Sequence, residues 1–219
     1  STLFPYTTLF RSIIDAVGSG VLEVISYDDI SSPITPPSFY EIEKSAGTEL
    51  VGMDEYGSIT VVSGEKKKIA TYGLLACTAV AVVSEFADGT KRGYIQHYSP
   101  LGDQLGGLVL RREMGGVEQQ SPVSCKMVIM TPGEYRKDYD GKWIMTPISQ
   151  ERVDNLIVES GMKRDRDVKV YSYGTASYQG RYGQGSLMIE FSSDGETKIY
   201  TEMLPVKFDE ELEVRASRG

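Results

Sequence analysis

Short runs rich in β-branched and aromatic residues recur along the chain between glycine, proline, aspartate and serine, and this pattern predicts mainly strands. The run at 77–86, CTAVAVVSEF, is apolar on both alternating faces, which predicts a central strand covered above and below. The stretch at 186–202 predicts a hairpin with Asp194 and Gly195 in its turn. The predicted strands lie at residues 20–27, 58–64, 67–73, 77–86, 92–99, 125–130, 167–174, 186–191 and 197–202.

Helical periodicity is clearest in one segment, ISQERVDNLIVESGM at 148–162. Ser149 can cap its start and Gly161 can end it. A weaker helix is predicted near 101–114, where three glycines lower the helix propensity. Several strands with few helices favour an α+β layered domain. The apolar stripe of the clearer helix consists of Val153, Leu156 and Ile157.

The opening stretch, STLFPYTTLFRS, follows neither periodicity. It lacks the basic region, the apolar core and the cleavage site of a secretory signal. Residues 2–12 resemble the translation of a sequencing adapter, as an assembled metagenomic reading frame would carry. We therefore expect residues 1–12 to be an artefact outside the fold and residues 13–219 to form one domain. Cytoplasmic localisation is the default expectation, because the native N-terminus and any export signal are not defined.

Charge and composition narrow the classes of partner. The chain has 219 residues, 40% of them hydrophobic, and a net charge of −8. Such acidity argues against nucleic acid as the main partner, because phosphate contacts require a basic surface. No apolar run approaches the about 20 residues of a membrane-spanning helix, so membrane insertion is not expected. One histidine and two cysteines give no zinc-finger spacing, although Cys77 and Cys125 could form a disulfide.

The candidate catalytic residues lie in residues 69–100, which contain Cys77 and the only histidine, His97. A cysteine hydrolase needs a thiolate, and a nearby imidazole can supply it by accepting the proton and leaving an ion pair. If the turn between the two strands is centred on Asp88, His97 lies opposite Ala79. Cys77 is then a diagonal neighbour of His97, with about 7 Å between their backbones, which two inward-leaning side chains can bridge.

The segment TYGLLAC, followed by TAVAVV and GYIQHYSP, resembles the core of the CheD family, the chemoreceptor glutamine deamidases. Thr71, Cys77 and His97 fall on the three catalytic positions of that pattern. The catalytic domains of the cytotoxic necrotizing factors share the cysteine and histidine arrangement. Further along, the helix at 148–162 and the glycine-rich segment YQGRYGQG follow in the family's order, so the resemblance covers residues 66–202.

This resemblance implies an α/β/β/α-type sandwich with a mostly antiparallel sheet and an enzyme that deamidates glutamine side chains. Cys77 would attack the carboxamide carbon, His97 would move the proton, and Thr71 would hold the imidazole. Backbone N–H groups, first of all that of Cys77, would stabilise the oxyanion. No cofactor or metal is implied. The implied partner is a protein presenting a glutamine, and a toxin-type deamidase acting on a host protein is a close variant.

The sequence departs from the family pattern beside the nucleophile, where Leu75 and Ala76 replace the usual glycine and serine. The family's double-glycine segment is not recognisable near residues 132–142, and we expect an inserted loop there that faces the substrate.

Plainer interpretations of the same residues stay open. A cysteine beside a buried strand is often an inert small hydrophobe, and His97 and Thr71 can be structural. A non-catalytic α+β binding domain is therefore a second hypothesis. Four tyrosines near the glycine-rich segment could form a binding surface or simply alternate along strands; they are Tyr171, Tyr173, Tyr178 and Tyr182.

Overall fold

A computed structural model of the chain describes fifteen elements, which we number in chain order. It covers residues 14–16, 21–23, 47–100, 103–137, 139–141, 143–162, 167–174, 185–201 and 204–205. The strands are β1 (Ile14–Ala16), β2 (Val21–Glu23), β3 (Thr48–Leu50), β4 (Tyr56–Val61), β5 (Lys67–Thr71), β6 (Thr78–Glu85), β7 (Lys91–Tyr98), β8 (Ser124–Lys137), β9 (Trp143–Pro147), β10 (Val168–Gly174), β11 (Leu187–Phe191), β12 (Thr197–Thr201) and β13 (Leu204–Pro205). The helices are α1 (Asp103–Gln119) and α2 (Gln150–Ser160). The expected artefact at residues 1–12 lies outside the described residues.

Two sheets form the frame. The larger sheet has eight strands in the order β1-β2-β10-β8-β6-β7-β4, with β9 paired to β8. The smaller sheet has five strands in the order β13-β12-β11-β5-β3. Most pairings are antiparallel, and the parallel ones join β10 to β2, β10 to β8 and β3 to β5. The fold is thus the predicted mixed α+β sandwich.

Two apolar cores separate the layers, one on each face of β6. Alternate residues of β6, beginning with Ala79, join a core between the two sheets. The intervening residues, Val80 and Val82, pack with Leu110 of α1 and Leu156 of α2 in a second core. The described layers are therefore helix, sheet and sheet, and the predicted central position of β6 is confirmed. Among the described residues, no helix is both long and apolar enough to cross a membrane.

The predicted strands are all confirmed at their centres, and the hairpin turns lie where expected. In the β6–β7 turn, the Phe86 N–H donates to the Thr90 carbonyl at 2.9 Å. Asp88 Oδ1 accepts a hydrogen bond of 2.9 Å from the Thr90 N–H, and Gly89 takes a φ of 82°. This turn sets the register of β6 against β7.

Both predicted helices are present. Ser149 caps α2 by accepting a hydrogen bond from the Arg152 N–H at 3.2 Å, and Gly161 ends it with a φ of 69°. Helix α1 runs further than predicted, to Gln119. Its Gly107 allows a close approach to α2, because a Cβ there would lie 3.3 Å from Glu159 Cγ.

The loop conformation expected at residues 132–142 is wrong for most of the residues that the structure describes there. Strand β8 continues to Lys137 and pairs with β9 in register, with Gly133 opposite Pro147. Threonine, tyrosine and tryptophan on these segments favour strands, and their backbone groups are satisfied by pairing rather than by solvent. This part of the chain is a hairpin extension of the larger sheet.

Candidate active site

His97 lies one residue before the end of β7, on the face of the larger sheet that meets the smaller sheet. It pairs in register with Ala79, as predicted from the turn at Asp88. Ile95, two residues earlier on the same face, belongs to the core between the sheets. The imidazole is only 3% exposed.

Cys77 immediately precedes β6 and joins the same core between the sheets. It is a buried free cysteine, and its position makes it the diagonal neighbour of His97 across the β6–β7 ladder. The structure therefore brings the two predicted residues to the same end of the same face.

The disulfide alternative is wrong. Both cysteines are free, and Cys125 pairs in register with Ser84, whose Oγ lies 3.3 Å from the Cys125 sulfur. Ser84 is seven residues beyond Cys77, which corresponds to about 20 Å along a strand. Since a disulfide requires Cα atoms within about 7 Å, these two cysteines cannot join in this fold.

Thr71 ends β5 of the smaller sheet and contacts His97 across the gap between the sheets. Its hydroxyl oxygen lies 2.9 Å from His97 Nδ1, the contact that the resemblance implied. The Thr71 hydroxyl proton is donated to the Val51 carbonyl at 2.8 Å. A hydroxyl has one proton, so Thr71 Oγ1 must accept from His97 Nδ1–H. The Val51 carbonyl thereby fixes the tautomer in which Nε2 carries the lone pair.

His97 Nε2 is the atom that this arrangement leaves for chemistry. It is buried and makes no hydrogen bond within the described part of the chain. A hydrogen bond between Cys77 and His97 is therefore not formed in this structure. Buried polar atoms are rarely left unsatisfied, and such an atom is suited to accept a proton during a reaction.

The backbone around Cys77 is held by three hydrogen bonds. The Cys77 N–H donates to the Leu74 carbonyl at 2.5 Å, and the Leu74 N–H donates to the Gly185 carbonyl at 3.2 Å. The Tyr173 hydroxyl donates to the Cys77 carbonyl at 2.6 Å. Leu75, where the family has glycine, adopts a φ of 50° and is 66% exposed. The turn thus needs a left-handed residue at this position, and leucine meets that need at a cost of about 1–2 kcal/mol.

These contacts correct the expected oxyanion donor. The Cys77 N–H is engaged with Leu74 within the turn and does not point to solvent as a free donor. The Ala76 N–H instead acts on the Cys77 side chain, where it lowers the thiol pKa slightly. The local sequence gives no signal that the Ala76 N–H, and not the Cys77 N–H, acts on the Cys77 side chain, because this arrangement depends on the left-handed conformation of Leu75.

Two charged residues near Cys77 and His97, the pair that we call the dyad, were missed by sequence reasoning. Asp54 lies in the turn between β3 and β4, and its N–H donates to the His97 carbonyl at 2.9 Å. Arg152 lies in the first turn of α2 and donates from Nη2 to the Ser99 carbonyl at 2.9 Å. Both act electrostatically on Cys77. The helix that carries Arg152 was predictable, but its approach to β7 is a tertiary contact.

Burial keeps both members of the dyad neutral at rest. Burial raises the pKa of the Cys77 thiol, and the Asp54 carboxylate raises it further, against smaller opposing effects of Arg152 and the Ala76 N–H. Burial lowers the pKa of His97, which Asp54 offsets in part. A neutral thiol and a neutral imidazole are thus favoured over the expected ion pair.

These shifts predict how Cys77 alkylation depends on pH in a Cys125→Ala background. Since the thiol pKa is raised above its ordinary 9.0, the rate with iodoacetamide should still be rising with pH at pH 9. A small unfolded peptide containing one cysteine serves as the control and should level off first. If the Cys77 rate instead levels off at a lower pH than the peptide rate, the result would indicate a thiolate–imidazolium pair.

The binding-surface alternative is wrong for the two tyrosines that the structure describes. Tyr171 and Tyr173 are 3% and 6% exposed, and both belong to the core between the sheets. They alternate along β10, which is the plainer of the two interpretations. Tyr178 and Tyr182 lie outside the described residues.

Comparison with known proteins gives similarity to solved structures alone. No protein-family model matches the chain, and no curated protein matches it. Among solved structures, the chain is similar to the C-terminal domain of CNFy from Yersinia pseudotuberculosis, with 12% sequence identity and a TM-score of 0.34. The match covers 73% of this chain and 59% of that chain. A partial overlap of this size does not define an activity.

Proposed function

We propose that the protein is a cysteine-dependent amidohydrolase that deamidates glutamine side chains of a protein substrate. The observation that carries this proposal is the state of His97. Its Nδ1 is held by Thr71, its Nε2 has no hydrogen-bond partner among the residues that the structure describes, and Cys77 is its diagonal neighbour on the same face. An oriented base beside a thiol is the arrangement that nucleophilic acyl transfer requires.

In the first half-reaction, His97 Nε2 takes the proton of Cys77 while the sulfur attacks the carboxamide carbon. The carbonyl oxygen gains the negative charge of the tetrahedral intermediate, and the Ala76 N–H is the donor we assign to it. The imidazolium then returns the proton to the departing nitrogen, so that ammonia leaves and a thioester forms.

In the second half-reaction, water replaces ammonia at the same position. The neutral Nε2 removes a proton from water, hydroxide attacks the thioester carbon, and the sulfur leaves as the thiol once it regains the proton. Glutamine and water give glutamate and ammonia, and Cys77 is regenerated. Thr71 keeps Nδ1 protonated throughout, because its own hydroxyl proton remains hydrogen-bonded to the Val51 carbonyl and its oxygen can only accept from Nδ1–H.

The choice of glutamine in a protein is supported by the resemblance of Thr71, Cys77 and His97 to the catalytic positions of the CheD family. A second candidate function, a non-catalytic binding domain, is favoured by the absent Cys77–His97 hydrogen bond and by the raised pKa of Cys77. The two functions differ in whether His97 activates the thiol.

A mass-spectrometric assay tests the proposed function. The protein is incubated with a chemoreceptor signalling domain and with a library of glutamine peptides, and each glutamine is examined for a gain of about one dalton, which replacement of NH₂ by OH gives. Cys77→Ala should abolish the gain, and Cys125→Ala, which leaves the dyad intact, should keep it.

Thiol reactivity decides between enzyme and binding domain without a substrate. In the Cys125→Ala background, His97→Ala should slow alkylation of Cys77 by iodoacetamide at neutral pH. If alkylation is no slower after His97 is removed, the imidazole does not activate the thiol and the binding domain is the better description.

A further inference from the structure

Asp54 is joined to the strand that carries His97. It occupies the turn between β3 and β4 with a φ of 61°. Its backbone N–H donates to the His97 backbone carbonyl at 2.9 Å, and the backbone N–H of His97 donates to the Glu55 carbonyl at 3.0 Å. A left-handed aspartate held by such reciprocal bonds has a fixed position relative to the imidazole.

The Asp54 carboxylate is fixed as well. Its Oδ1 accepts a hydrogen bond of 2.9 Å from the Ser99 N–H, just beyond the end of β7. Asp54 is exposed, whereas Cys77 and His97 are buried. A side chain of a substrate protein can therefore contact the Asp54 carboxylate from solvent.

The Asp54 charge affects the pKa of the proposed nucleophile, Cys77. Apart from burial, Asp54 has the largest effect on the pKa of Cys77, and it acts on His97 too. The opposing effect of Arg152 on Cys77 is smaller. The field at the thiol is therefore negative on balance, and it disfavours the thiolate.

We propose that Asp54 is a specificity-determining residue that receives a lysine or arginine side chain located beside the target glutamine of the substrate protein. This inference rests on the proposed function and adds the kind of sequence that the site selects. A bound cation would offset the carboxylate charge, and the thiol would then lose its proton more easily. The correct substrate would thereby help to activate its own nucleophile.

The surroundings of Asp54 fit a cationic protein segment. The neighbouring carboxylate of Glu55 is turned back to accept a hydrogen bond of 3.0 Å from the Gly52 N–H. Two large apolar side chains close in sequence to Asp54 and Cys77 are exposed: Met53, which precedes Asp54, is 61% exposed, and Leu75, two residues before Cys77, is 66% exposed. With a net charge of −8, the chain as a whole attracts basic partners. An apolar and basic segment matches all three features.

Charged thiol reagents of equal reach measure this preference without any substrate. In the Cys125→Ala background, Cys77 is modified with trimethylammonioethyl methanethiosulfonate, which is cationic, and with sulfonatoethyl methanethiosulfonate, which is anionic. We expect the cationic reagent to react about tenfold faster relative to its rate with a free thiol, and the preference to shrink at high salt. Asp54→Asn should remove most of the preference, and an unchanged ratio would overturn the proposal.

Asp88→Asn is the matched control for this experiment. Asp88 also accepts a backbone N–H in a tight turn, at 2.9 Å from the Thr90 nitrogen, but it lies at the far end of the β6–β7 hairpin. The reagent ratio should be the same as in the parent protein. A ratio that falls equally in both variants would mean that only the net charge matters, which also overturns the proposal.

A nuclear magnetic resonance titration gives a second readout that needs no thiol reaction. The chain has a single histidine, so in untagged protein its ring signals belong to His97. Asp54 raises the pKa of His97, and Asp54→Asn should therefore lower it, whereas Asp88→Asn should not. An unchanged His97 pKa would show that the carboxylate does not reach the dyad. Loss of His97-dependent alkylation, by contrast, would count against the proposed function alone.

Discussion

Replacement of Gly185 by alanine is expected to destabilise the fold by about 2–4 kcal/mol, through overpacking and a left-handed backbone that alanine disfavours. Gly185 adopts a φ of 78°, and a Cβ there would lie 2.4 Å from Leu74 Cβ and 2.9 Å from Leu74 Cδ1. Leu74 is fully buried, and its Cβ is attached directly to the backbone, so it cannot move aside cheaply. Urea unfolding of the variant and the parent protein measures the loss.

Gly195→Ala separates the clash from the backbone effect. Gly195 has a similar φ of 86°, but nothing lies within 4 Å of a Cβ at that position. Its substitution should cost only the left-handed conformation, about 1–2 kcal/mol. The additional loss of unfolding free energy in Gly185→Ala measures the clash of the added Cβ with Leu74. The Leu74 carbonyl accepts the hydrogen bond of the Cys77 N–H. Equal losses in the two variants would show that the Cys77 turn does not depend on this contact.

Thr71→Val is expected to lower the rate of the proposed deamidation about 10²- to 10³-fold, while Thr71→Ser should keep it within about tenfold of the parent rate. Valine has the shape of threonine but removes the acceptor of His97 Nδ1–H and the donor to Val51. The imidazole can then carry its proton on Nε2, and a protonated Nε2 cannot accept a proton as a base. Serine keeps the hydroxyl and so keeps both hydrogen bonds.

The tautomer of His97 distinguishes this effect from a loss of folding. Nitrogen chemical shifts of the single histidine should show a proton on Nδ1 in the parent protein and in Thr71→Ser, and a shift of the proton toward Nε2 in Thr71→Val. Unfolding free energies of the three proteins serve as the control, because the Val51 carbonyl loses its buried donor in the valine variant at a cost of about 1–3 kcal/mol. A valine variant that retains both the tautomer and the rate would show that Thr71 has no role in orienting the base.

The register of the candidate site could be predicted because its signals are local. Continuous apolar residues marked β6, and the turn at Asp88 fixed its pairing with β7, so His97 had to lie opposite Ala79. The contact of Thr71 with His97 joins two different sheets, and periodicity alone did not give it. It was expected only from the resemblance of the three residues to a family pattern.

The remaining parts of the site depend on contacts that no local pattern encodes. Val51 and Asp54 reach His97 because β3 pairs in parallel with β5 and the following turn returns to β7. Leucine gives no signal for a left-handed turn, and Leu75 adopts one because the neighbouring backbone bonds of Leu74 hold the chain there. For the same reason, the engagement of the Cys77 N–H was not foreseeable from residue types.

The β6–β7 hairpin also offers a place to attach the molecule to a surface. Its turn at Asp88 and Gly89 is exposed, and nothing lies within 4 Å of a Cβ on Gly89. It stands at the opposite end of β6 from Cys77, a strand of eight residues that spans about 26 Å. A biotin or fluorophore placed at Asp88 would leave the side that carries Asp54 and Leu75 open to solution. Immobilised in this orientation, the protein would present the end of the sheet that carries Cys77 and His97 to any partner in solution.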